Sequence, residues 1–182
     1  MERDLVIRAQ QGDEDAFSTL ALSLGDRWLN LAQRILRDTD LAEDATQQAI
    51  VAIWRQLPRL REPDRFEGWA YRILVNACRT EMRREQRAVP NLDFLPADGS
   101  VHDGVAGLAD RDQLEQAFRR LKIEHRSILV LQHYLGLTLE QCAERLDIPV
   151  GTARSRSYYA KRQLRATLEA DERAVAKEAT SA

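Results

Sequence analysis

Arg154, Ser155, Tyr158, Tyr159 and Arg162 fall within VGTARSRSYYAKRQLR, residues 150–165, a stretch with five basic side chains and no acid. The chemistry this set supports is non-covalent. Arginine can bridge guanine bidentately, while Ser, Tyr and the other cations can hold phosphates. On a helix turning about 100° per residue, Ala153, Ser157, Ala160 and Leu164 form an inward stripe and the five residues point away from it. Small residues inside with Arg, Ser and Tyr outside fit a DNA major groove. A solvated C-terminal helix, with basic residues favouring its dipole, would carry the same charge. Charge alone does not separate the two. The neighbouring segments do.

Directly upstream lies LTLEQCAERLDIP. Thr138 with Gln141 three residues on is a capping-box signature for a helix start. Leu139, Cys142, Ala143 and Leu146 then fall at i, i+3, i+4 and i+7, one apolar face. Asp147, Ile148 and Pro149 force a tight turn, and Pro149 suits the first turn of the next helix. Helix, short turn and helix make a helix-turn-helix, with Ala143 small where the two helices approach. This context favours DNA.

A second basic segment, RFEGWAYRILVNACRTEMRREQR, spans 65–87. Phe66, Trp69, Ala70, Ile73 and Ala77 are its expected buried face. Arg72, Asn76, Arg79 and Arg83 recur at i, i+4, i+7 and i+11, a basic ridge that Arg84 and Arg87 extend. A solvated surface laced by Glu81 and Glu85 would show the same pattern. Trp69 and Tyr71 lie near the ridge, although such aromatics more often belong to a core. In the preceding helix, Asp38 to Leu57, Leu41, Ala45, Ala49, Ala52 and Ile53 make the apolar stripe. Glu43, Asp44, Gln47, Gln48, Val51 and Arg55 line the opposite side. That face is either solvated or a docking surface for a partner helix, and the pattern leaves both open.

These elements imply an all-α fold of two small helical domains. The 182 residues carry a formal net charge of -2, with 31% charged and 44% hydrophobic side chains, the profile of a soluble helical protein. Between them, residues 89–112 hold two prolines, three glycines and five aspartates against one arginine, and read as an acidic flexible linker. Fully stretched, it reaches about 80 Å. The expected organisation is 1–88, the linker, 113–168, and a polar tail over 169–182 that frays. The N-terminus has no apolar signal-peptide run, and nothing approaches the roughly 20 apolar residues that span a bilayer. A cytoplasmic protein without membrane insertion is expected. Cys78 and Cys142 sit among small and apolar residues and read as reduced, buried thiols. His102, His125 and His133 fall in no metal-ligand spacing, and there is no phosphate-binding glycine loop. No catalytic group, metal or cofactor is expected.

DLAEDATQQAIVAIWRQL with RFEGWAYRILVNACRTEMRR resembles region 2 of the bacterial extracytoplasmic-function (ECF) sigma factors of the sigma-70 family. LKIEHRSILVLQHYLGLTLEQCAERLDIPVGTARSRSYYAKRQLR resembles their region 4. The resemblance implies that Asp44, Gln47, Gln48 and Val51 dock on core RNA polymerase. It implies that Arg65, Trp69, Arg72, Asn76, Arg79 and Arg83, with the PRLREPD loop, recognise and open the minus-10 element of promoter DNA. Arg154, Ser155, Tyr158, Tyr159 and Arg162 would read the minus-35 element, and the linker would occupy the polymerase channel. An anti-sigma factor is an expected partner, and catalysis would belong to the polymerase.

The sequence departs from the family pattern in four places. Gln48 stands where Glu is usual, which removes a charge from the docking face. Thr80 replaces a frequent Asp. Ser157 and Ala153 replace a large aliphatic and a Val, so the recognition helix is expected to pack more loosely or to rotate. A polymerase-independent helix-turn-helix regulator is the alternative function, but it leaves the docking helix and the second basic domain unexplained. A purely structural helical adaptor is the third reading.

Overall fold

The computed structural model describes residues 2–88 and 107–181. Local signals set the helix boundaries. Helix α1 spans Glu2–Gln10 and α2 spans Glu14–Leu36. Asp13 caps α2 by accepting the Ala16 amide at 2.9 Å, and the helix ends where Arg37 turns left-handed at φ 60°. Helix α3, Thr39–Gln56, opens on Asp38, whose carboxylate accepts the Leu41 amide at 2.9 Å. Pro58 and Pro63 then fall in two short 3-10 turns, and α4 runs Phe66–Ala88. The Gln10 amide holds the first turn in place, donating to the carbonyls of Leu57 (3.1 Å) and Leu60 (2.7 Å).

The apolar spacing of α2 buries Leu20, Leu24, Trp28, Leu31 and Ile35 along one side. Each large side chain so buried contributes about 1.5–3 kcal/mol. Leu31, with no exposed surface, has no room to adjust, so truncation to Ala would cost about 2–5 kcal/mol. Helix α3 presents Ala42, Ala45 and Ala49 to the same core, all fully buried. Side chains that small let α2 and α4 pack close on either side.

The second half comprises α5 (Gly107–Arg119), α6 (Ile123–His133), α7 (Leu139–Leu146) and α8 (Val150–Ser181). Two boundaries differ from expectation. Helix α5 takes in the last six residues of the segment read as linker; the rest of that segment, 89–106, lies outside the described residues. The polar tail continues α8 as far as Ser181.

The two halves share one core and pack face to face. Arg34 of α2 lies 3.9 Å over the ring of Tyr134, just past α6. Arg126 of α6 is 1% exposed, and its Nη1 donates to the Leu36 carbonyl at the end of α2 at 3.0 Å. Such a cation offsets the negative end of a helix dipole. This packing corrects the expected face of α4. Phe66 and Ala70 are buried as the spacing predicts, but Trp69, Ile73 and Ala77 are half-buried. Tyr71, Leu74, Val75, Cys78 and Met82 take the core positions. The helix is covered by α3 on one side and by α7 on another, so its buried surface is broader than one stripe. Tyr71 belongs to the core, 6.4 Å from Trp28, with Arg27 and Arg145 over its ring at 5.4 and 5.1 Å. In α3 the buried stripe likewise shifts toward Ala42 and Thr46, leaving Leu41 and Ala52 half-buried.

Both cysteines are free and buried. Burial pushes the Cys78 thiol up to about 12 and the Cys142 thiol up to about 11, so both stay protonated and unreactive.

Candidate nucleic-acid interface

The helix-turn-helix is built from local chemistry. Thr138 Oγ1 accepts the Gln141 amide at 3.2 Å, and Gln141 Oε1 accepts the Thr138 amide at 2.9 Å, closing the capping box. Gly136, at φ 67°, makes the bend from α6 that an L side chain would strain. Cys142, Ala143 and Leu146 are the buried residues of α7. Asp147 turns left-handed at φ 54°, and the Pro149 carbonyl accepts the amides of Thr152 and Ala153 to start α8.

Helix α8 presents the two stripes expected of it. Ala153, Ser157 and Ala160 are buried and Leu164 is half-buried. Arg154, Ser155, Tyr158, Tyr159 and Arg162 are all exposed. Ser157 is not loosely packed: its hydroxyl donates to Gln132 Oε1 of α6 at 2.6 Å. That bond and the burial of Ala153 and Ala160 hold the inward stripe against its neighbours. The Tyr158 and Tyr159 rings meet edge to face at 5.4 Å, forming an exposed aromatic ledge. Arg154 lies 3.9 Å from Glu140, a loose surface contact worth little in water. The Ser155 hydroxyl donates back to the Thr152 carbonyl at 3.0 Å, so its lone pairs face outward.

The α4 ridge is arranged differently. Asn76 and Arg83 are exposed, but Arg72 and Arg79 are half-buried against the second half of the chain. Arg72 pairs with Asp147 at 2.8 Å, and Arg79 Nε lies 3.9 Å from Glu124. Burial pulls the Arg79 guanidinium below its ordinary value; Glu124 opposes this, and Arg156 and Arg83 add to it. A cleft of about 510 Å³ separates the halves, with Arg65, Trp69 and Arg72 on one wall and Arg145, Asp147 and Pro149 on the other. Glu67 bridges it, accepting from Arg27 at 2.7 Å and from Arg145 at 2.9 Å. Gly68 sits beside this bridge, where an added Cβ would lie 3.5 Å from Arg145 Cδ. The ridge is therefore covered in part, Arg72 by the helix-turn-helix and Arg79 by the start of α6, while Asn76 and Arg83 stay open to solvent. Glu81, read as a solvated partner, is 3% exposed.

On α3, Asp44, Gln47 and Val51 are exposed together. Gln48 turns partly away: its amide donates to the buried Glu81 carboxylate at 2.5 Å. The face also contains an aromatic pair that the pattern of polar residues did not single out. Trp54, 38% exposed, packs with its ring tilted against that of Phe17 of α2, the centroids 4.6 Å apart. Its position three residues after Val51 was the available signal. Among the described residues no group of three or more His, Cys, Asp or Glu side chains is placed to hold a metal ion.

Residues 20–88 match the family model for Sigma-70 region 2, and residues 111–164 match that for Sigma-70, region 4. The chain is 30% identical over 181 residues to the RNA polymerase sigma-H factor of Pseudomonas aeruginosa, covering 92% of this chain and 94% of that one. It is 25% identical over 181 residues to the ECF RNA polymerase sigma factor SigW of Bacillus subtilis, covering 92% and 97% respectively. Among solved structures it is similar to CnrH, in complex with the cytosolic domain of CnrY, with a TM-score of 0.67 at 24% identity over 93% of this chain and 98% of that one. It is also similar to the sigma factor RpoE of Bartonella quintana, in complex with the anti-sigma factor NepR, with a TM-score of 0.63 at 23% identity over 85% and 98%. These two likenesses speak for the fold; the sequence matches speak for kinship. With both sigma regions matched in order and a relative at this identity aligned along nearly its whole length, the chain belongs to the sigma-70 family, as an ECF sigma factor.

Proposed function

We propose that this chain binds core RNA polymerase and directs promoter-specific initiation through three surfaces. The exposed face of α8, with Arg154, Ser155, Tyr158, Tyr159 and Arg162, reads the minus-35 element. Arg65, Trp69, Arg72, Asn76, Arg79 and Arg83 recognise and open the minus-10 element. Asp44, Gln47 and Val51, with Gln48 at their edge and Trp54 beside them, dock on polymerase. The observation that carries this reading is the exposure of Arg154, Tyr158 and Tyr159 on a helix whose opposite face is fixed by Ala153, Ser157 and Ala160. A cationic and aromatic face held rigidly in a helix-turn-helix suits groove recognition.

Region 4 covers Arg72 and Arg79 in the closed arrangement. Promoter engagement therefore requires the halves to part. Bond-making is left to the polymerase: this chain supplies address and strand opening, and works in the bacterial cytoplasm. An anti-sigma factor is a further partner, as in the Bartonella quintana complex.

Run-off transcription tests the reading. Core polymerase supplemented with this chain should initiate at a distinct subset of promoters that core alone does not use. Sequence-selective DNA binding by the chain alone, with no effect on core polymerase, would favour the independent regulator.

A further inference from the structure

Buried positive charge is concentrated where the second half of α4 meets the start of α6. A cleft of about 350 Å³ lies there, and its described lining includes the cations Arg79, Arg83, Lys122 and Arg126 and the carboxylate Glu124. Two of the cations are poorly matched by protein partners. Arg126, 1% exposed, spends Nη1 on the Leu36 carbonyl, while Nη2 meets only the Met82 sulfur at 3.9 Å, and Nε has no hydrogen-bond partner. Arg79 donates from Nη1 to Asn76 at 3.2 Å, yet its Nε and Nη2 are buried without a hydrogen bond. Burial, with Arg37 and Arg119 nearby, pushes Arg126 down to about 10, so it remains charged at neutral pH.

The start of α6 adds to this field. Lys122, at the N-cap, makes no side-chain cap to the eleven-residue helix that follows. The uncapped first turn, positive by its dipole, lines the same cleft through Ile123 and Glu124. Buried guanidinium donors left without acceptors are unfavourable in a low-dielectric setting, and an oxyanion would satisfy them.

We propose that this cleft binds a diphosphate group, either as inorganic diphosphate or as the phosphate end of a nucleotide. Several acceptor oxygens are needed, because the donors come from different directions: Arg79 and Arg83 from α4, Lys122 and Arg126 from α6. A duplex cannot enter a cleft of about 350 Å³. The ligand touches both halves and binds only when they are together, so mass action shifts the chain toward the closed arrangement. It also draws Arg79 and Arg83 away from the proposed minus-10 surface; this consequence rests on the promoter reading, whereas the site itself does not.

Isothermal titration of the full chain at fixed ionic strength, first with inorganic diphosphate and separately with ADP, tests the site. Inorganic diphosphate should bind one per chain with a dissociation constant below about 1 mM. Scattering should show a smaller radius of gyration in its presence. Arg83→Ala with Lys122→Ala, both at exposed positions, should weaken binding at least about tenfold by removing two charge-assisted contacts. Lys161→Ala, outside the cleft, should leave it unchanged. Equal affinity for the two probes assigns binding to the phosphates, and tighter ADP binding adds a base contact to the same site. Absence of saturable diphosphate binding, binding of ADP alone, or equal affinity in the double variant and the parent would overturn the proposal.

Discussion

Gln48 of α3 donates its side-chain amide to Glu81 of α4 at 2.5 Å, and Glu81 is 3% exposed. Arg84, one turn on, meets the same carboxylate at 3.1 Å. The pair accounts for glutamine at a position where resemblance leads one to expect glutamate. A second carboxylate there would face a buried one with a single, mostly exposed arginine between them. Gln48→Glu should therefore destabilise the chain by about 1–3 kcal/mol, the cost of an unmatched buried polar group. Glu81→Gln in the same chain should recover most of the loss. Denaturant unfolding of the two single variants and the double variant checks this coupling; strictly additive effects would argue against it.

Ser157 makes a comparable link between α8 and α6 through its 2.6 Å bond to Gln132. Ser157→Ala leaves the half-buried amide without that donor and should cost about 1 kcal/mol. Ser157→Leu, closer to the family pattern, should cost about 1–3 kcal/mol, because Ala153 and Ala160 place α8 too near its neighbours for a larger group. Thermal unfolding followed by circular dichroism distinguishes these outcomes. A stabilised leucine variant would mean that the helices have room to separate.

The helix-turn-helix was legible because its determinants are local. The Thr138–Gln141 capping box closes within one helical turn, and the apolar spacing of α7 and the small-residue stripe of α8 are each written within a single helix. Partners distant in sequence were not legible. Arg126 reads as one charge at the head of the apolar run HRSILVLQ, while its acceptor, Leu36, is ninety positions away. The face of α4 was misplaced for the same reason. Periodicity detects one covered side, and Tyr71 and Met82 are buried by a second layer that the helix's own sequence does not announce.

Glu67 gives the closed arrangement a dependence on acid. Burial works against its ionisation, but hydrogen bonds from Arg27 and Arg145 outweigh this and hold its carboxyl below the ordinary 4.5. A group with a lowered folded-state value contributes fully above its unfolded value and loses that contribution as pH falls through the folded one. The link from α4 to α7 should therefore persist at neutral pH and loosen below about 4.5. Glu67→Gln should show the looser state already at pH 7. Hydrogen exchange at α7 is the measurement, and identical protection in variant and parent would mean that other contacts hold the halves together.

On the proposed docking face, Asp44 and Gln47 are exposed on the side of α3 away from the core. Asp44→Arg with Gln47→Arg should weaken association with core polymerase at least about tenfold, equivalent to about 1.4 kcal/mol. Helicity should be unchanged, because neither side chain is buried. Binding as tight as that of the parent would move the docking surface elsewhere on the molecule.

The central claim is that α8 reads bases, and Arg154 tests it most directly. Arg154 lies in the first turns of α8, exposed and only loosely held by Glu140 at 3.9 Å; Arg162 lies two turns later. The measurement is binding of holoenzyme to a set of promoters varied across the minus-35 element. Arg154→Ala should cost about 1–3 kcal/mol at one base position and relax the preference there. Arg162→Ala should weaken binding to all variants alike. If Arg154→Ala instead lowers binding uniformly across the set, Arg154 contacts only the backbone, and the assignment of base reading to this face is contradicted.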